Sequence, residues 1–270
     1  MINRRRVLAL FVKDSRELLR NGQVIAPLIV LPLLFVVAIP AAVIVFGGNP
    51  ALLSSVNGLD GFLANLPAGI VPEGSSLHQT IVYAVIVYFL APFFLLIPVM
   101  AASVTASASI VGEKERRTIE GLLYTPLTDR ELVLGKVLVS VVPAVLLTWA
   151  SFLIYAVLVN ALGAPIMGGI FFPTWSWIIL VVVLVPLVAF LATSLIVAVS
   201  GRSRTVQGAQ GISMLLVLPL IGLVAGQAGG LLLFDVGIAL AAGAVLLVLD
   251  ALVFLFVVRR FNRESIVTRL

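Results

Sequence analysis

Six apolar runs, each long enough to cross a lipid bilayer as a helix, constrain this chain more than any other feature of its sequence. A transmembrane helix needs about 20 apolar residues to cross a hydrocarbon core of about 30 Å. The sequence is 61% hydrophobic and only 11% charged, whereas soluble domains carry roughly 25% charged residues. These properties predict an all-α polytopic membrane protein with six transmembrane helices. The runs cover about residues 24–46, 80–111, 132–162, 177–199, 206–222 and 236–258.

The basic residues predict the orientation of these helices. All 17 lysines and arginines lie in the first 20 residues, in residues 112–136, in residues 201–205 or in the C-terminal tail. Loops rich in lysine and arginine stay on the cytoplasmic side of a membrane. We therefore expect a multi-pass protein of the cell (inner or cytoplasmic) membrane with cytoplasmic N and C termini. The net charge of +5 follows from the same rule. No basic stripe interleaved with aromatic residues is present, so we expect no nucleic-acid partner.

Residues 4–21 fit an amphipathic helix that lies on the membrane. Such a helix buries its apolar side at the headgroup boundary and keeps its charged side in water. We accordingly divide the chain into an N-terminal amphipathic helix, residues 1–22, and a six-span domain, residues 23–270. The apolar side chains share an arc of about 140° and are Val7, Leu8, Phe11, Val12, Leu18 and Leu19. The charged side chains opposite them are Lys13, Asp14, Arg16, Glu17 and Arg20.

Prolines and glycines predict irregular places in the spans. Pro92 and Pro98 are expected to kink the second run, which as a straight helix would be roughly 48 Å long. The fifth run loses its regular pattern in a glycine-rich stretch at residues 222–230. The piece Leu231–Phe234 is too short to cross a bilayer. We therefore expect a broken or re-entrant segment between spans 5 and 6.

The loops without basic residues carry few candidate functional residues. His78 is the only histidine, and we place it in the loop over residues 47–80. Because no second ligand is near it in sequence, we expect no metal site there. Trp175 and Trp177 are expected to anchor the outer end of span 4 at the membrane interface.

Residues 112–136 are the densest block of charge in the chain, with five acidic and five basic residues between two apolar runs. Apolar residues recur at helical spacing within residues 113–125, and Thr125-Pro126 would end that helix. Thr128 and Glu131 form a capping-box pattern at the start of the third span. We expect a short surface helix, about residues 113–125, that a partner can hold. The alternative is a solvated loop, because exposed charge pairs are common and contribute little stability.

The run G-E-K-E-R-R-T-I-E-G-L-L-Y-T-P-L-T-D-R-E-L-V-L-G-K at residues 112–136 resembles the signature of the membrane subunits of ABC-2 type transporters. In that family a T-x-E-x-L-L pattern, a Thr-Pro or similar break and a later Gly-Lys pair lie between the second and third spans. The order of an N-terminal surface helix, six spans and a broken segment also agrees with that family. Two positions depart from the pattern, since Arg117 stands where a glycine is usual and Ile119 replaces a common leucine.

The resemblance implies a transmembrane exporter subunit that is driven by a partner. Such subunits pair as homodimers, or with a paralogous permease, and each binds an ABC ATP-binding subunit. The helix between spans 2 and 3 would be the coupling helix, with the N-terminal helix as a second contact. The first and fifth spans would line the dimer seam and pathway, which makes Gln207 and Gln210 candidate translocation or packing residues. By position, the ATPase-coupling residues would be Glu113, Lys114, Glu115, Arg116, Arg117, Thr118 and Glu120.

The chain lacks the motif that would let it hydrolyse ATP by itself. A Walker A loop needs G-x-x-x-x-G-K-[ST], so that backbone amides surround the phosphates and the lysine reaches them. The only Gly-Lys pair is Gly135-Lys136, which is followed by Val137, and Arg130 stands where the first glycine should be. No nucleophile–base pair can be assembled either. We therefore expect no catalytic residue and no cofactor in this chain, with ATP and Mg bound by the partner subunit.

Asp250 supports a rival interpretation. It lies just past the middle of the sixth apolar run, and an ionisable group at that depth is a functional candidate. An ion-coupled secondary transporter or a channel could use it. The alternative is a structural Asp250 that is protonated or hydrogen-bonded to neighbouring hydroxyls. No clear repeat relates the two halves of the sequence, although many secondary transporters have one.

Overall fold

The computed structural model describes residues 3–49, 59–64, 66, 71, 74–115, 128–199, 205–229, 231 and 234–260. Every regular element in these ranges is a helix, and six helices are long and apolar enough to cross a membrane. The all-α fold with six spans is therefore confirmed. The spans, numbered 1 to 6 in chain order, are Val24–Phe46, Leu77–Glu113, Glu131–Met167, Trp175–Val199, Val206–Ala228 and Val236–Val257.

The helices have the following bounds. The N-terminal helix is Arg4–Leu19. Span 1 lies within three consecutive helical segments, Gly22–Pro32, Leu33–Ala38 and Ile39–Phe46. The short helix Leu59–Ala64 follows it. Span 2 belongs to Leu77–Tyr83, Ala84–Phe89, Leu90–Phe94 and Leu96–Glu115. Span 3 belongs to Asp129–Met167, and span 4 to Trp175–Ile179, Leu180–Leu184 and Val185–Val199. Spans 5 and 6 belong to Val206–Ala228 and Val236–Arg260.

Wide π-helical turns interrupt spans 1, 2 and 4, and each turn stands shortly before a proline. A proline donates no N–H group, and its ring collides with the carbonyl four residues back in a regular helix. A π turn changes the hydrogen-bond pattern at that place, and a carbonyl that loses its N–H partner must find another donor. The turns are Leu33–Ala38 before Pro40, Ala84–Phe89 before Pro92, and Leu180–Leu184 before Pro186.

The helix of span 2 is interrupted at Leu95, between Pro92 and Pro98, where the sequence predicts a kink. Helix Leu90–Phe94 ends there and helix Leu96–Glu115 begins. Pro98 cannot donate to the carbonyl of Phe94, so the regular helical pattern cannot continue through this point.

The small and hydroxylated residues after the kink allow close helix packing. Residues 101–107 are all buried. The hydroxyls of Ser103, Thr105 and Ser107 donate to backbone carbonyls one turn earlier in the same helix. Their polar groups are therefore satisfied within span 2, and spans 3, 4 and 5 pack against its short side chains.

Spans 2 and 4 form the centre of the bundle. In the most apolar part of each span, 67% of the residues are buried in span 2 and 56% in span 4. The corresponding shares are 17% in span 1, 13% in span 5 and 17% in span 6. Spans 1, 5 and 6 therefore leave most of their apolar surface for lipid or for another protein chain.

Three local predictions from the sequence are wrong. The glycine-rich run is helical up to Ala228 and ends at Gly229, so span 5 does not lose its helix at residue 222. His78 lies in the first turn of span 2 rather than in a loop, and its Nε2 is 3.0 Å from the carbonyl oxygen of Ile44. Trp177 is fully buried, whereas Trp175 is 74% exposed, so only Trp175 can contact an interface. The re-entrant piece at 231–234 falls partly outside the described residues and stays a prediction.

Candidate functional site

The candidate site is an ion cluster between the N-terminal helix, the end of span 2 and the start of span 3. Lys136 of span 3 lies at its centre. The Lys136 Nζ is 2.7 Å from Asp14 Oδ2 and 2.8 Å from Glu113 Oε2, and it donates to the Ser109 carbonyl oxygen at 2.8 Å. An ammonium has three N–H donors. Two of them go to Asp14 Oδ2 and the Ser109 carbonyl oxygen, and the Glu113 carboxylate adds an ion pair. We call this end of the bundle the charged end.

A close approach of two helices places Lys136 against the N-terminal helix. Leu10 of the N-terminal helix packs on Gly135, where a Cβ atom would come within 2.6 Å of the Leu10 Cδ2. A side chain larger than glycine at position 135 would therefore force the Leu10 side chain out of this contact. Asp14 follows Leu10 by four residues and lies on the same face of its helix, where it meets Lys136.

The buried face of the N-terminal helix differs from the predicted one. The sequence places Asp14 on the water side, but its side chain is only 3% exposed because it is paired with Lys136. Leu8, predicted on the apolar face, is 62% exposed. The residues that pack on the bundle recur at helical spacing and are Val7, Leu10, Asp14 and Leu18.

Charges of opposite sign face each other in the cluster. Two carboxylates, Asp14 and Glu113, face the buried ammonium of Lys136, and Lys13 supplies the second positive charge. The Lys13 Nζ is 3.1 Å from Glu113 Oε1 and 3.2 Å from Asp14 Oδ1. Ser109 Oγ also donates to Asp14 Oδ2 at 3.2 Å. Removing the buried ammonium of Lys136 would leave uncompensated buried charge and cost about 3–5 kcal/mol.

Lys13 remains charged over the whole neutral pH range. Burial lowers the pKa of Lys13, but the carboxylates of Glu113 and Asp14 raise it by more, to about 12. A raised pKa in the folded protein means that the charge stabilises the fold fully below pH 10.5, the ordinary value. That contribution is lost only as the pH rises through 12.

Glu131 joins the start of span 3 to the start of the N-terminal helix. The predicted capping box is present, since Glu131 Oε2 accepts from the Thr128 N–H at 2.9 Å and Thr128 Oγ1 accepts from the Glu131 N–H. Glu131 Oε1 also accepts from the Asn3 N–H at 2.7 Å. Asn3 is the N-cap of the N-terminal helix, so one buried carboxylate stabilises the first turns of two helices.

The predicted coupling residues are only partly described. Glu113 is 5% exposed and belongs to the ion cluster, where its carboxylate contacts Lys13 and Lys136. Glu115 is exposed at the end of span 2, and its Oε2 accepts from the Val206 N–H at the start of span 5, at 3.2 Å. Their contact with an ATPase stays a prediction. Outside the described part lie the side chain of Lys114 and all of Arg116, Arg117, Thr118 and Glu120.

The other candidates stand apart from the ion cluster. Gln207 is exposed and Gln210 is half-buried, both near the start of span 5. Asp250 is only 5% exposed in span 6, and neither of its carboxylate oxygens has a hydrogen-bond partner among the described residues. The alternative in which a neighbouring hydroxyl bonds Asp250 therefore finds no such partner in the part of the chain that the structure covers.

The carboxylates of the charged end are matched to lysines rather than to a metal ion. Asp14, Glu17 and Glu113 bring oxygen atoms within 4.8 Å of one another. The ammonium groups of Lys13 and Lys136 already lie within 2.7–3.8 Å of these same three residues. A divalent cation would have to displace them, so the geometry fits internal ion pairs.

A second buried network lies toward the opposite end of the bundle, where three spans donate hydrogen bonds to the π turn of span 2. The Tyr155 hydroxyl donates to the Ile86 carbonyl at 2.9 Å, and the Trp177 Nε1 donates to the Val87 carbonyl at 2.7 Å. Gln227 Nε2 of span 5 donates to the next carbonyl, that of Tyr88, at 3.1 Å. We call these contacts the π-turn network.

The π-turn network also contains closely packed aromatic rings. The centroids of the Tyr155 and Trp177 rings are 4.9 Å apart, and Phe94 and Phe172 pack edge-on against both rings. Such pairs stabilise by about 0.5–1.5 kcal/mol beyond their buried area. The sequence gives one signal for this network, because Pro92 removes the backbone donor that the Tyr88 carbonyl would use in a regular helix.

Fold and site together define a six-span membrane protein whose N-terminal helix is held on spans 2 and 3. The chain belongs to the ABC-2 family transporter proteins, whose family model matches residues 8–237. That range contains Asp14, Glu113 and Lys136, and it runs from the N-terminal helix into the start of span 6. A comparison with curated proteins gives no match.

Proposed function

We propose that this chain is the transmembrane subunit of an ATP-driven ABC-2 exporter, forming the translocation pathway and coupling to a separate ATP-binding subunit. Family membership supports a transporter. One observation carries the coupling role: Glu113 and Glu131, on either side of the charged segment 114–130, are both bonded to the N-terminal helix. A partner that moves the segment would therefore act on the N-terminal helix and on spans 2 and 3 together.

The ion cluster gives this coupling its stiffness. Lys136, Glu113 and Asp14 are each 5% exposed or less, so water has little access to their charges. Sliding the N-terminal helix along span 3 would separate buried opposite charges, which is far more costly than sliding one apolar surface over another. A push on the segment between spans 2 and 3 is thus passed on as a rigid displacement.

The proposed assembly is a homodimer, or a pair with a paralogous permease, bound to two ATP-binding subunits in a cell membrane. The family resemblance makes spans 1 and 5 the candidate seam. Few of their residues are buried within one chain, which leaves their surface open to a partner, although span 6 is equally exposed. Exposed apolar side chains on them include Ile29, Val30, Leu215 and Leu218. ATP and Mg would be bound by the partner subunit, and this chain would supply no catalytic residue.

Copurification with an ABC ATP-binding subunit, to be sought in the gene next to this one, tests the proposal. We expect a stable complex whose ATP hydrolysis is stimulated by transported substrate. Arg117→Glu reverses a charge in the predicted coupling helix and should weaken ATPase association or stimulation while expression and dimerisation persist. Arg269→Glu makes the same change in the C-terminal tail and serves as the matched control. Normal association and stimulation with Arg117→Glu would contradict the coupling role.

An ion-coupled transporter is the second candidate function, and Asp250 favours it. A carboxylate that is buried in a span without a described partner is a candidate to bind a proton or cation. Transport into vesicles that contain this chain without any ATPase, driven by a proton or sodium gradient and abolished by Asp250→Asn, would support this candidate. Transport that requires ATP and persists with Asp250→Asn would return Asp250 to a structural role.

A further inference from the structure

A basic cleft lies where the N-terminal helix meets span 1. Its volume is about 610 Å³. A Cβ atom on Gly22 would have no neighbour within 4 Å, so the cleft is open at the first residue of the span 1 helix. The described residues that line it are Lys13, Arg16, Glu17, Arg20, Asn21 and Gly22.

Two guanidinium groups give the cleft its excess positive charge. Lys13 is already paired with Asp14, Glu17 and Glu113. Arg16 and Arg20 are exposed, lie one helical turn apart and form no ion pair with any residue in the described ranges. Arginine forks match the oxygens of a phosphate group. The cleft therefore presents to an anion two guanidinium groups that have no ion-pair partner among the described residues.

The position of the cleft indicates which anion it meets. Span 1 begins at Val24, four residues after Arg20, so the cleft lies at the depth where a span leaves the hydrocarbon core. Val12 is 38% exposed and is only about 40° from Arg16 around the helix. An apolar surface thus adjoins a cationic one, as the acyl chain and the phosphate of a phospholipid adjoin each other.

We propose that the cleft between the N-terminal helix and span 1 binds the phosphate of an anionic phospholipid through Arg16 and Arg20. The lipid would hold the N-terminal helix at the membrane surface, while the ion cluster holds its other face on the bundle. This site does not depend on the proposed ATPase coupling. An ATP-binding subunit seated on the same arginines is the rival occupant, and the cleft's position beside the start of span 1 favours the lipid.

Lipid titration of the full-length protein tests the site. Native mass spectrometry would follow binding of phosphatidylglycerol and phosphatidylcholine to protein purified in neutral detergent. Arg16→Gln with Arg20→Gln should weaken phosphatidylglycerol binding about 30-fold, the equivalent of about 1 kcal/mol for each arginine. Phosphatidylcholine binding should not change. Arg4→Gln with Arg5→Gln removes the same charge from the same helix outside the cleft, and should weaken binding less than about threefold.

Each remaining outcome overturns the proposal. Equal losses in the two double variants would mean general charge attraction, and no loss in the first would exclude these arginines. Displacement of the lipid by millimolar inorganic phosphate would indicate a site for free phosphate. Unchanged lipid binding with loss of ATPase copurification would assign the arginines to the protein partner. If the double variant does not purify, Arg20→Gln alone should weaken binding about fivefold, and an unchanged affinity in that chain would contradict the proposal.

Discussion

The two ends of the bundle are held together by different chemistry. At the charged end, the N-terminal helix, span 2 and span 3 meet through buried charges. In the π-turn network, roughly 40 Å of helix away along span 2, spans 3, 4 and 5 donate neutral hydrogen bonds to carbonyls of span 2. A neutral donor that is lost leaves one carbonyl unsatisfied, whereas a lost ammonium leaves two carboxylates buried. The charged end should therefore be the more sensitive to a single substitution, and it is also the end that adjoins the proposed coupling segment.

Lys136→Met should have the largest effect. It removes the buried ammonium while keeping a side chain of similar length, and it leaves Asp14 and Glu113 without their shared partner. We expect a loss of about 3–5 kcal/mol in the free energy of unfolding, measured by denaturant or thermal unfolding in detergent. The triple variant Lys136→Met, Asp14→Asn and Glu113→Gln removes all three charges and should recover most of that loss. If Lys136→Met alone is as stable as the wild type, the buried ammonium of Lys136 does not stabilise the cluster.

Tyr155→Phe should have an intermediate effect. It removes only the hydroxyl that donates to the Ile86 carbonyl, and the ring can keep its contacts with Trp177. An unsatisfied buried carbonyl costs about 1–3 kcal/mol, to be measured by the same unfolding experiment. Tyr83→Phe, at a half-buried position, is the matched control and should cost less than about 1 kcal/mol. A loss larger than that of Lys136→Met would reverse the ranking of the two ends.

Lys13→Gln should have the smallest effect, although Lys13 belongs to the same cluster as Lys136. The Lys13 side chain is 54% exposed, so water can replace its interactions, and exposed pairs contribute only about 0.2–1 kcal/mol. The small loss should also shrink further in high salt, because exposed charges are screened. Unfolding curves at low and high ionic strength would check this, and a loss comparable to that of Lys136→Met would contradict the buried–exposed distinction.

The sequence predicts the spans well because each depends only on local composition. Span 1 runs from Val24 to Phe46 in both the prediction and the structure, and the Thr128–Glu131 capping box is local too. The Asp14–Lys136 pair could not be predicted, because its partners are 122 residues apart and a helical wheel assigns every charge to water. Trp177 was misassigned for the same reason, since its partner is the Val87 carbonyl in span 2. The burial of Asp14 does have a signal in the sequence, because Asp14 stands at helical spacing from the apolar residues Val7, Leu10 and Leu18.

The central claim is that the ion cluster makes the N-terminal helix and the start of span 3 move as one body. The chain contains no cysteine, so Leu8→Cys and Leu138→Cys, both at exposed positions, give a unique pair of spin-label sites. Labelled chains would be diluted with unlabelled ones in the complex with the ATPase, and the distance measured by pulsed electron spin resonance with and without ATP. We predict one narrow distance that ATP does not change in the wild type, and a broad distribution in the triple variant Lys136→Met, Asp14→Asn and Glu113→Gln. A wild-type distance that shifts when ATP binds would contradict the claim.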